Sequence, residues 1–243
     1  MSPQPAPQRA GTAVRPARVG LMIPSSNTMM EADFSRDLPP GTALHTARMF
    51  MADTTAEAEH RMLDEFALPA ARDLGTARPD VVVFGCTSAG ALRGSDYDGQ
   101  LCDRISELTG APAVSTIGAV RAAIEASGAT CIGVITPYVD ELNEKIRASI
   151  EADGTRVAAI AGLGITDNFA IAEVGPEEIV TFAQRALGQL AADGGIGLAF
   201  ASCTNFGAMA VRAAIAQRLG VPVITSNQAV LAAAVAALPR PAG

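Results

Sequence analysis

Short apolar runs and longer amphipathic segments alternate along the chain from Arg18 onward. The runs are rich in Val, Ile and Ala, as expected for strands buried in a parallel sheet. They cover 19–23, 43–50, 81–85, 112–115, 131–135, 156–162, 196–201 and 222–226. The segments between them carry apolar residues at helical spacing; in 177–192 these are Ile179, Phe182, Ala183, Ala186 and Leu190. The pattern predicts an α/β fold in which crossover helices connect parallel strands.

The strand pattern repeats once within the chain. GLMIPSSN, beginning at Gly20, resembles GVITPYVD at Gly133, and APAVST around Pro112 resembles VPVITS around Pro222. VVVFGCTSAG and LAFASCTNFG both end a strand with Cys-Thr. We therefore predict two pseudo-symmetric, Rossmann-like lobes, each with a parallel four-stranded sheet. The carboxyl ends of their strands, where open α/β sheets bind ligands, should face one another across a cleft.

Composition places the 243-residue chain among globular proteins, with 49% hydrophobic and 18% charged residues. Residues 1–17 are rich in Pro, Ala and Arg and lack the apolar stretch of a secretory signal, so we predict a disordered tail and a cytoplasmic protein. The longest apolar stretch, 229–238, is half of the ~20 residues that a membrane span needs. It predicts a buried helix, with no membrane partner.

Charge and residue counts exclude several classes of function. Lys and Arg number 18 against 25 Asp and Glu, giving a net charge of −7, and there is no Trp, so nucleic acid is not an expected partner. The two histidines are not spaced as metal ligands, and no nucleotide-binding glycine motif is present. The single lysine, Lys145, falls in an exposed helical pattern, which disfavours Schiff-base chemistry. From these residues we expect no metal, no nucleotide and no Schiff-base cofactor.

Two of the four cysteines, Cys86 and Cys203, follow predicted strands at equivalent places in the repeat. Amide groups at a helix N-terminus lower the pKa of a thiol from its usual value near 8.5 and can bind an anion. Two thiols across one cleft suit a nucleophile or base paired with a proton donor. The alternative is that both pack as small apolar residues, which is our interpretation of Cys102 and Cys131. The small polar residues that follow the pair are candidate carboxylate-binding groups: Thr87, Ser88, Thr204 and Asn205.

Three further polar residues are candidates for substrate binding. Asn27 follows the first strand, Tyr138 follows the equivalent strand of the second half, and Asn168 follows the next strand. Asn27 fits a helix cap equally well, and Asn168 fits an Asx turn. Arg48 and Arg93 are possible carboxylate clamps, although unplaced arginines are more often surface charges.

The PSSNT segment after the first strand, the paired Cys-Thr segments, the TPY after the central strand and the internal pseudo-two-fold resemble the aspartate/glutamate racemase superfamily. Within it, the chain is most similar to the branch of maleate cis-trans isomerases and arylmalonate decarboxylases. The resemblance extends from Arg18 to about Leu238. It implies a first lobe of 18–116 plus 227–243, a second lobe of 117–226, and a homo-oligomer.

The resemblance to the maleate isomerases implies a reaction on a small dicarboxylic acid that needs no cofactor. Cys86 would add to the cis double bond, and Cys203 would donate and recover a proton at the neighbouring carbon. Asn27, Tyr138 and Asn168 would hold the substrate.

Three other functions remain open from the sequence. The decarboxylases share CTSAGALRG-like and ITPYVDELNE-like segments, but have glycine where Cys86 stands. A two-cysteine racemase of an amino acid, a hydantoin or a related acid is the leading alternative. A non-catalytic protein that binds a small acid is another, since two lobes around a cleft also suit simple binding.

Overall fold

The computed structural model describes residues 15–239, which form two four-stranded parallel sheets covered by helices. The first sheet has the order β2-β1-β3-β4, with β1 Ala17–Pro24, β2 Thr42–Met49, β3 Val81–Phe84 and β4 Ala113–Ser115. The second has the order β6-β5-β7-β8, with β5 Cys131–Thr136, β6 Arg156–Gly162, β7 Leu198–Ala201 and β8 Val223–Thr225. The predicted α/β class and the repeat of four strands are confirmed.

Within the described range, ten α-helices lie between the strands and an eleventh follows the last strand. They are α1 Met30–Asp37, α2 Ala56–Arg61, α3 Ala67–Gly75, α4 Thr87–Leu92, α5 Ser95–Thr109, α6 Thr116–Ser127, α7 Asp140–Glu151, α8 Asn168–Ala172, α9 Pro176–Ala192, α10 Ala208–Leu219 and α11 Ser226–Ala237. A single π-helical turn, Met62–Phe66, joins α2 to α3. Helix α9 buries Ile179, Phe182 and Ala183, the face predicted from apolar spacing.

The central strands explain where the core lies. Every residue of β3 and β7 is buried, because helices cover both faces of each sheet. Helix α11, which contains most of the long apolar stretch, buries Val230 and Ala234 in one cluster with Val19 of β1. The last described helix thus packs on the first sheet, while the exact division into lobes stays a prediction.

The N-terminal part of the chain is described only from Arg15, so most of the predicted disordered tail, 1–17, lies outside the described residues. Arg15 forms an ion pair with Asp80, and β1 already begins at Ala17. Among residues 15–239, no helix combines the length and the apolar character that crossing a bilayer would require.

Candidate active site

The two predicted thiols lie at the carboxyl ends of equivalent strands. Cys86 is the N-cap residue of α4, two residues after β3, and Cys203 lies two residues after β7. Only 4% of Cys86 and 7% of Cys203 are exposed. Thr204, the residue after Cys203, donates a hydrogen bond to the carbonyl oxygen of Gly85, the residue before Cys86, so the fold brings the pair together. Each cysteine lies at the carboxyl edge of its own sheet, β3 in the first and β7 in the second, the edge at which open parallel sheets bind ligands.

Hydrogen bonds tie each Cys-Thr segment to the other half of the molecule. The Thr204 hydroxyl donates to the carbonyl oxygen of Gly85 at 3.1 Å. The Thr87 hydroxyl donates to Ser226 Oγ at 2.8 Å, and Ser226 Oγ also accepts the backbone N–H of Cys203 at 3.1 Å. Thr87 and Thr204 therefore fix the positions of both thiols. Their roles as direct substrate ligands stay predictions.

The backbone at Cys203 is strained. Its φ angle of 97° lies in the left-handed region, which a residue with a Cβ rarely adopts. The turn brings the backbone N–H of Asn205 to the Cys203 sulfur at 3.3 Å. Such strain persists only where the surroundings enforce it, and it is concentrated at functional sites.

Burial keeps both thiols protonated at neutral pH. It raises the pKa of Cys203 to about 11, against the opposing effect of hydrogen bonds from the Tyr138 hydroxyl and from backbone amides. Burial also raises the pKa of Cys86 well above its usual value, and the nearby charge of Glu59 adds to the increase. Each thiol is thus a proton donor in the resting protein, and a thiolate requires a nearby proton acceptor.

Tyr138 lies just after β5 and is almost fully buried beside Cys203. Its pKa is raised well above the usual value, first by burial and then by the neighbouring thiols. The phenol therefore stays protonated and can donate a hydrogen bond to a thiolate or to an anionic ligand. The structure brings it to the cysteine pair, as the sequence predicted for a strand-end residue, while its contact with substrate stays a prediction.

Asn27 forms hydrogen bonds with both halves of the protein. Its side-chain oxygen accepts the backbone N–H groups of Met29 and Met30 at 3.1 and 3.0 Å, at the start of α1. Its amide nitrogen donates to Thr204 Oγ1 at 3.0 Å. The cap that the sequence allowed is therefore present, in addition to a link to the second Cys-Thr segment.

Asn168 and Asn205 extend this set of contacts. Asn168 accepts a hydrogen bond from the Thr54 hydroxyl at 3.0 Å and donates one to Ser26 Oγ at 2.7 Å. Asn205 accepts the backbone N–H of Thr28 at 2.9 Å and donates to the carbonyl oxygen of Asn168 at 2.5 Å. These side chains connect the loops around the cysteine pair, and any substrate contact they make stays a prediction.

The two candidate arginine clamps have protein partners. Arg48 donates to the carbonyl oxygens of Ser25 and Asn27 and pairs with Glu31. Arg93 forms an ion pair with Asp64 and donates hydrogen bonds to His60 Nδ1 and to the Tyr97 hydroxyl oxygen. Both guanidinium groups are thus satisfied within the protein.

Glu59 of α2 is a buried acid near the cysteine pair that the sequence reasoning missed. It is completely buried and accepts a hydrogen bond from the Ser88 hydroxyl. Burial raises its pKa to about 8, Ser88 opposes the increase, and the charge of Glu141 adds to it. Its second oxygen, Oε2, has no partner within the described part of the chain. Glu59 also raises the pKa of Cys203 and Tyr138, which places it among the thiols and the phenol.

A sequence signal for Glu59 existed. Met62, Leu63 and Phe66 follow it at i+3, i+4 and i+7, so Glu59 shares the apolar face of its helix. A carboxylate on such a face is rarely buried without a partner.

The described residues, 15–239, contain no group of three or more His, Cys, Asp or Glu side chains that could hold a metal ion.

Comparisons with known proteins agree with this architecture. Residues 19–242 match the family described as arylmalonate decarboxylase. A maleate isomerase of Geobacillus stearothermophilus is 28% identical over 222 residues, covering 86% of each chain. An arylmalonate decarboxylase of Bordetella bronchiseptica is 27% identical over 211 residues, covering 87% of this chain and 86% of the relative. The crystal structure of the maleate isomerase Iso from Pseudomonas putida S16 superposes with a TM-score of 0.83, at 26% identity, over 91% of this chain and 92% of that one.

Proposed function

Because the chain belongs to the arylmalonate decarboxylase family and is similar to maleate isomerases, we propose that it is a cofactor-independent cis-trans isomerase of a small dicarboxylate, with maleate as substrate and fumarate as product. The observation that carries the proposal is the pair of buried thiols, Cys86 and Cys203, held at the ends of equivalent strands. An isomerisation that adds and then removes one nucleophile and one proton needs two such groups.

The first half of the reaction breaks the double bond. The Cys86 thiolate forms a C–S bond with one alkene carbon, and the Cys203 thiol gives its proton to the other. The product is a succinyl thioether on Cys86 and a thiolate on Cys203. The N–H of Asn205, which is 3.3 Å from the Cys203 sulfur, and the neighbouring Tyr138 hydroxyl stabilise that thiolate.

The second half restores the alkene. The former double bond is now a single bond, so the two carboxylate-bearing carbons rotate about it. The Cys203 thiolate then removes a proton from the carbon that it protonated, and the C–S bond to Cys86 breaks. Fumarate leaves, and both sulfurs return to their starting states, so neither an oxidant nor a cofactor is consumed.

The buried polar groups within residues 15–239 include no Lys, Arg or His, so no buried positive charge is present to balance a dianionic substrate. The substrate carboxylates therefore need neutral hydrogen-bond donors. Donors are supplied by neutral groups, namely the Tyr138 phenol and the backbone amides that follow each cysteine. Preorganised neutral donors in a water-excluded site stabilise anions effectively. They would hold the substrate carboxylates during rotation.

A two-thiol racemase is the second candidate, since the same pair of thiols can act as base and acid on opposite faces of a Cα–H group. Decarboxylation is less well supported: protonating the carbanion left by loss of CO₂ needs one proton donor, which leaves Cys86 without a role. The presence of a second buried cysteine, Cys86, at the equivalent strand end thus favours the two-thiol reactions.

The test is proton NMR of the reduced protein with maleate in deuterated buffer, following the olefinic signals. We expect the maleate signal to fall while the fumarate signal rises. Unchanged maleate would contradict the proposal. Loss of the Cα–H signal from a chiral amino acid or hydantoin by exchange with solvent deuterium would then support the racemase.

A further inference from the structure

The proposed reaction requires Cys86 to lose a proton before it can add to the substrate. Burial holds the Cys86 pKa far above neutral pH, so the thiolate does not form by simple ionisation in water. Cys203 cannot take this proton, because its pKa of about 11 keeps it protonated until it serves as the acid. The cycle therefore needs a further proton acceptor beside Cys86.

Ser88 and Glu59 occupy the position that such an acceptor requires. Ser88 follows Cys86 by two residues in the first turn of α4, and its hydroxyl oxygen is 4.0 Å from the Cys86 sulfur. The same hydroxyl donates to Oε1 of Glu59, which reaches the site from α2. Thiol, hydroxyl and carboxyl form one continuous row, and all three side chains are nearly or completely buried.

We propose that Glu59 accepts the proton of Cys86 through the Ser88 hydroxyl, and so generates the thiolate that attacks the substrate. The Cys86 S–H bond breaks and its proton moves to Ser88 Oγ, while the proton of Ser88 moves to Glu59 Oε1. The result is a thiolate, a neutral hydroxyl and a neutral carboxyl group. Glu59 acts through Ser88 and is therefore a positioning residue with a proton-accepting role. This inference rests on the proposed function, because the thiolate is needed for the addition of Cys86 to the substrate double bond.

The groups around Glu59 make it the suitable acceptor. Cys86, Cys203 and Tyr138 face it from the strand ends, and Glu141 lies nearby on α7. All three buried neighbours ionise only well above neutral pH, whereas Glu59 does so near pH 8. The other acid of its own helix, Glu57, is exposed. Among Glu59, the two thiols and the Tyr138 phenol, Glu59 is therefore the group that carries a negative charge under mildly alkaline conditions.

Two roles of Glu59 predict opposite changes in the reactivity of Cys86 when Glu59 is replaced by Gln. In the first role Glu59 acts only through its charge, and in the second it accepts a proton. The negative charge of Glu59 raises the pKa of Cys86, so removing only that charge would lower the pKa and make Cys86 more reactive. Removing a proton acceptor makes Cys86 less reactive, because the thiolate then forms without a base. The sign of the change separates the two roles.

The experiment measures alkylation of Cys86 by iodoacetamide between pH 6 and 10, with each cysteine peptide quantified by mass spectrometry. Iodoacetamide is uncharged, so the pH dependence reports on the protein. The wild-type rate is expected to rise with a midpoint near the Glu59 pKa of about 8. At pH 8, Glu59→Gln should slow labelling by about a hundredfold, while the control Glu57→Gln leaves it unchanged. Equal or faster labelling of Glu59→Gln would overturn the proposal.

Ser88→Ala provides a second test that leaves the carboxyl group in place. It should slow Cys86 labelling in the same way, because the row between thiol and carboxyl is interrupted. Undiminished labelling would contradict proton transfer through Ser88. Absence of Cys86 labelling in the wild type at every pH would contradict it as well, because a thiol activated toward an alkene must also react with an alkylating reagent.

The labelling test needs no substrate, so its outcome is separable from that of the proposed function. Slower labelling in Glu59→Gln together with unchanged maleate in the wild type supports the proton acceptor and rejects maleate as substrate. Conversion of maleate to fumarate with unaffected labelling in Glu59→Gln rejects the proton acceptor alone. In the wild type, kcat for maleate should also rise with pH around 8, and this rise should be absent in Glu59→Gln.

Discussion

The hydroxyl of Thr204 donates to the carbonyl oxygen of Gly85 at 3.1 Å, which links the residue after the second cysteine to the residue before the first. One hydrogen bond thus couples the two strand ends that carry the thiols. Thr204 Oγ1 also accepts the Asn27 amide at 3.0 Å, so a third strand end is attached to the same atom. The relative placement of the two sulfurs depends on this contact.

Thr204→Val should destabilise the protein without changing the volume of the side chain. The substitution leaves the Gly85 carbonyl and the Asn27 amide without a partner in a buried site, and we expect a loss of about 3 kcal/mol in the free energy of unfolding. Urea unfolding measures it. The control is Thr181→Val at an exposed position of α9, which should change stability little. Equal effects of the two substitutions would show that the Thr204 contacts contribute nothing.

Tyr138→Phe should raise the pKa of Cys203 further. The Tyr138 hydroxyl opposes the effect of burial on that thiol, and its removal takes away a donor to the thiolate. We expect the pH midpoint for iodoacetamide labelling of the Cys203 peptide to rise by about one unit. Tyr97→Phe, at a phenol that contacts Arg93 instead, serves as the control. A midpoint that stays fixed or falls in Tyr138→Phe would contradict the assigned contact.

Gly162→Ala should disturb the site through the backbone of Tyr138. A Cβ atom at Gly162 would overlap the Tyr138 carbonyl oxygen and would lie 2.6 Å from Asn143 Nδ2, so the turn after β5 has to shift. We expect a loss of about 3 kcal/mol in stability and reduced turnover.

Gly197→Ala is the matched control for this prediction, because the nearest atom to its Cβ would be 3.8 Å away. Thermal unfolding of both variants, with turnover measured at a temperature where each is folded, checks the pair. If Gly162→Ala were as stable and as active as Gly197→Ala, the close packing of Gly162 against the Tyr138 carbonyl would not constrain the position of Tyr138.

The buried Glu59 should make stability depend on pH in a defined direction. Its pKa is raised from 4.5 to about 8 on folding, so the folded state holds a proton that the unfolded state releases between those pH values. Wild-type stability should therefore fall relative to Glu59→Gln as the pH rises from 5 to 8, by roughly 5 kcal/mol at most.

Urea unfolding of both proteins at pH 5 and pH 8 measures this difference. Asp98, whose pKa is raised to about 6 by burial, affects both proteins equally and cancels. A difference in stability that stays constant between the two pH values would mean that Glu59 is ionised in the folded protein throughout this range.

Much of the fold was predictable because parallel strands leave a strong local signal. Runs such as 81–85 and 196–201 are apolar throughout, since helices cover both faces of the sheet, and both became fully buried strands. The repeat predicted four strands in each half, and the structure shows that the two sheets also share one spatial strand order. Cys86 and Cys203 were found because Cys-Thr follows equivalent strands.

The partners of the polar residues were less predictable, because they depend on contacts far apart in sequence. The Asn27 amide bonds to Thr204, and Asn168 bonds to Ser26 and Thr54, pairs that no local pattern connects. Glu59 reaches the site from a helix that carries no strand-end motif. Its burial depends on how α2 packs against α4, which the spacing of apolar residues indicates only in part.

The central claim is that both thiols act in one reaction, and turnover of the single-cysteine variants tests it most directly. Proton NMR with maleate should show fumarate formation reduced at least ~10²-fold in Cys86→Ala and in Cys203→Ala. Cys102→Ala, which removes a half-buried thiol of α5, should retain the wild-type rate and shows that losing a cysteine is not itself harmful. Full isomerase activity in either Cys86→Ala or Cys203→Ala would contradict the account.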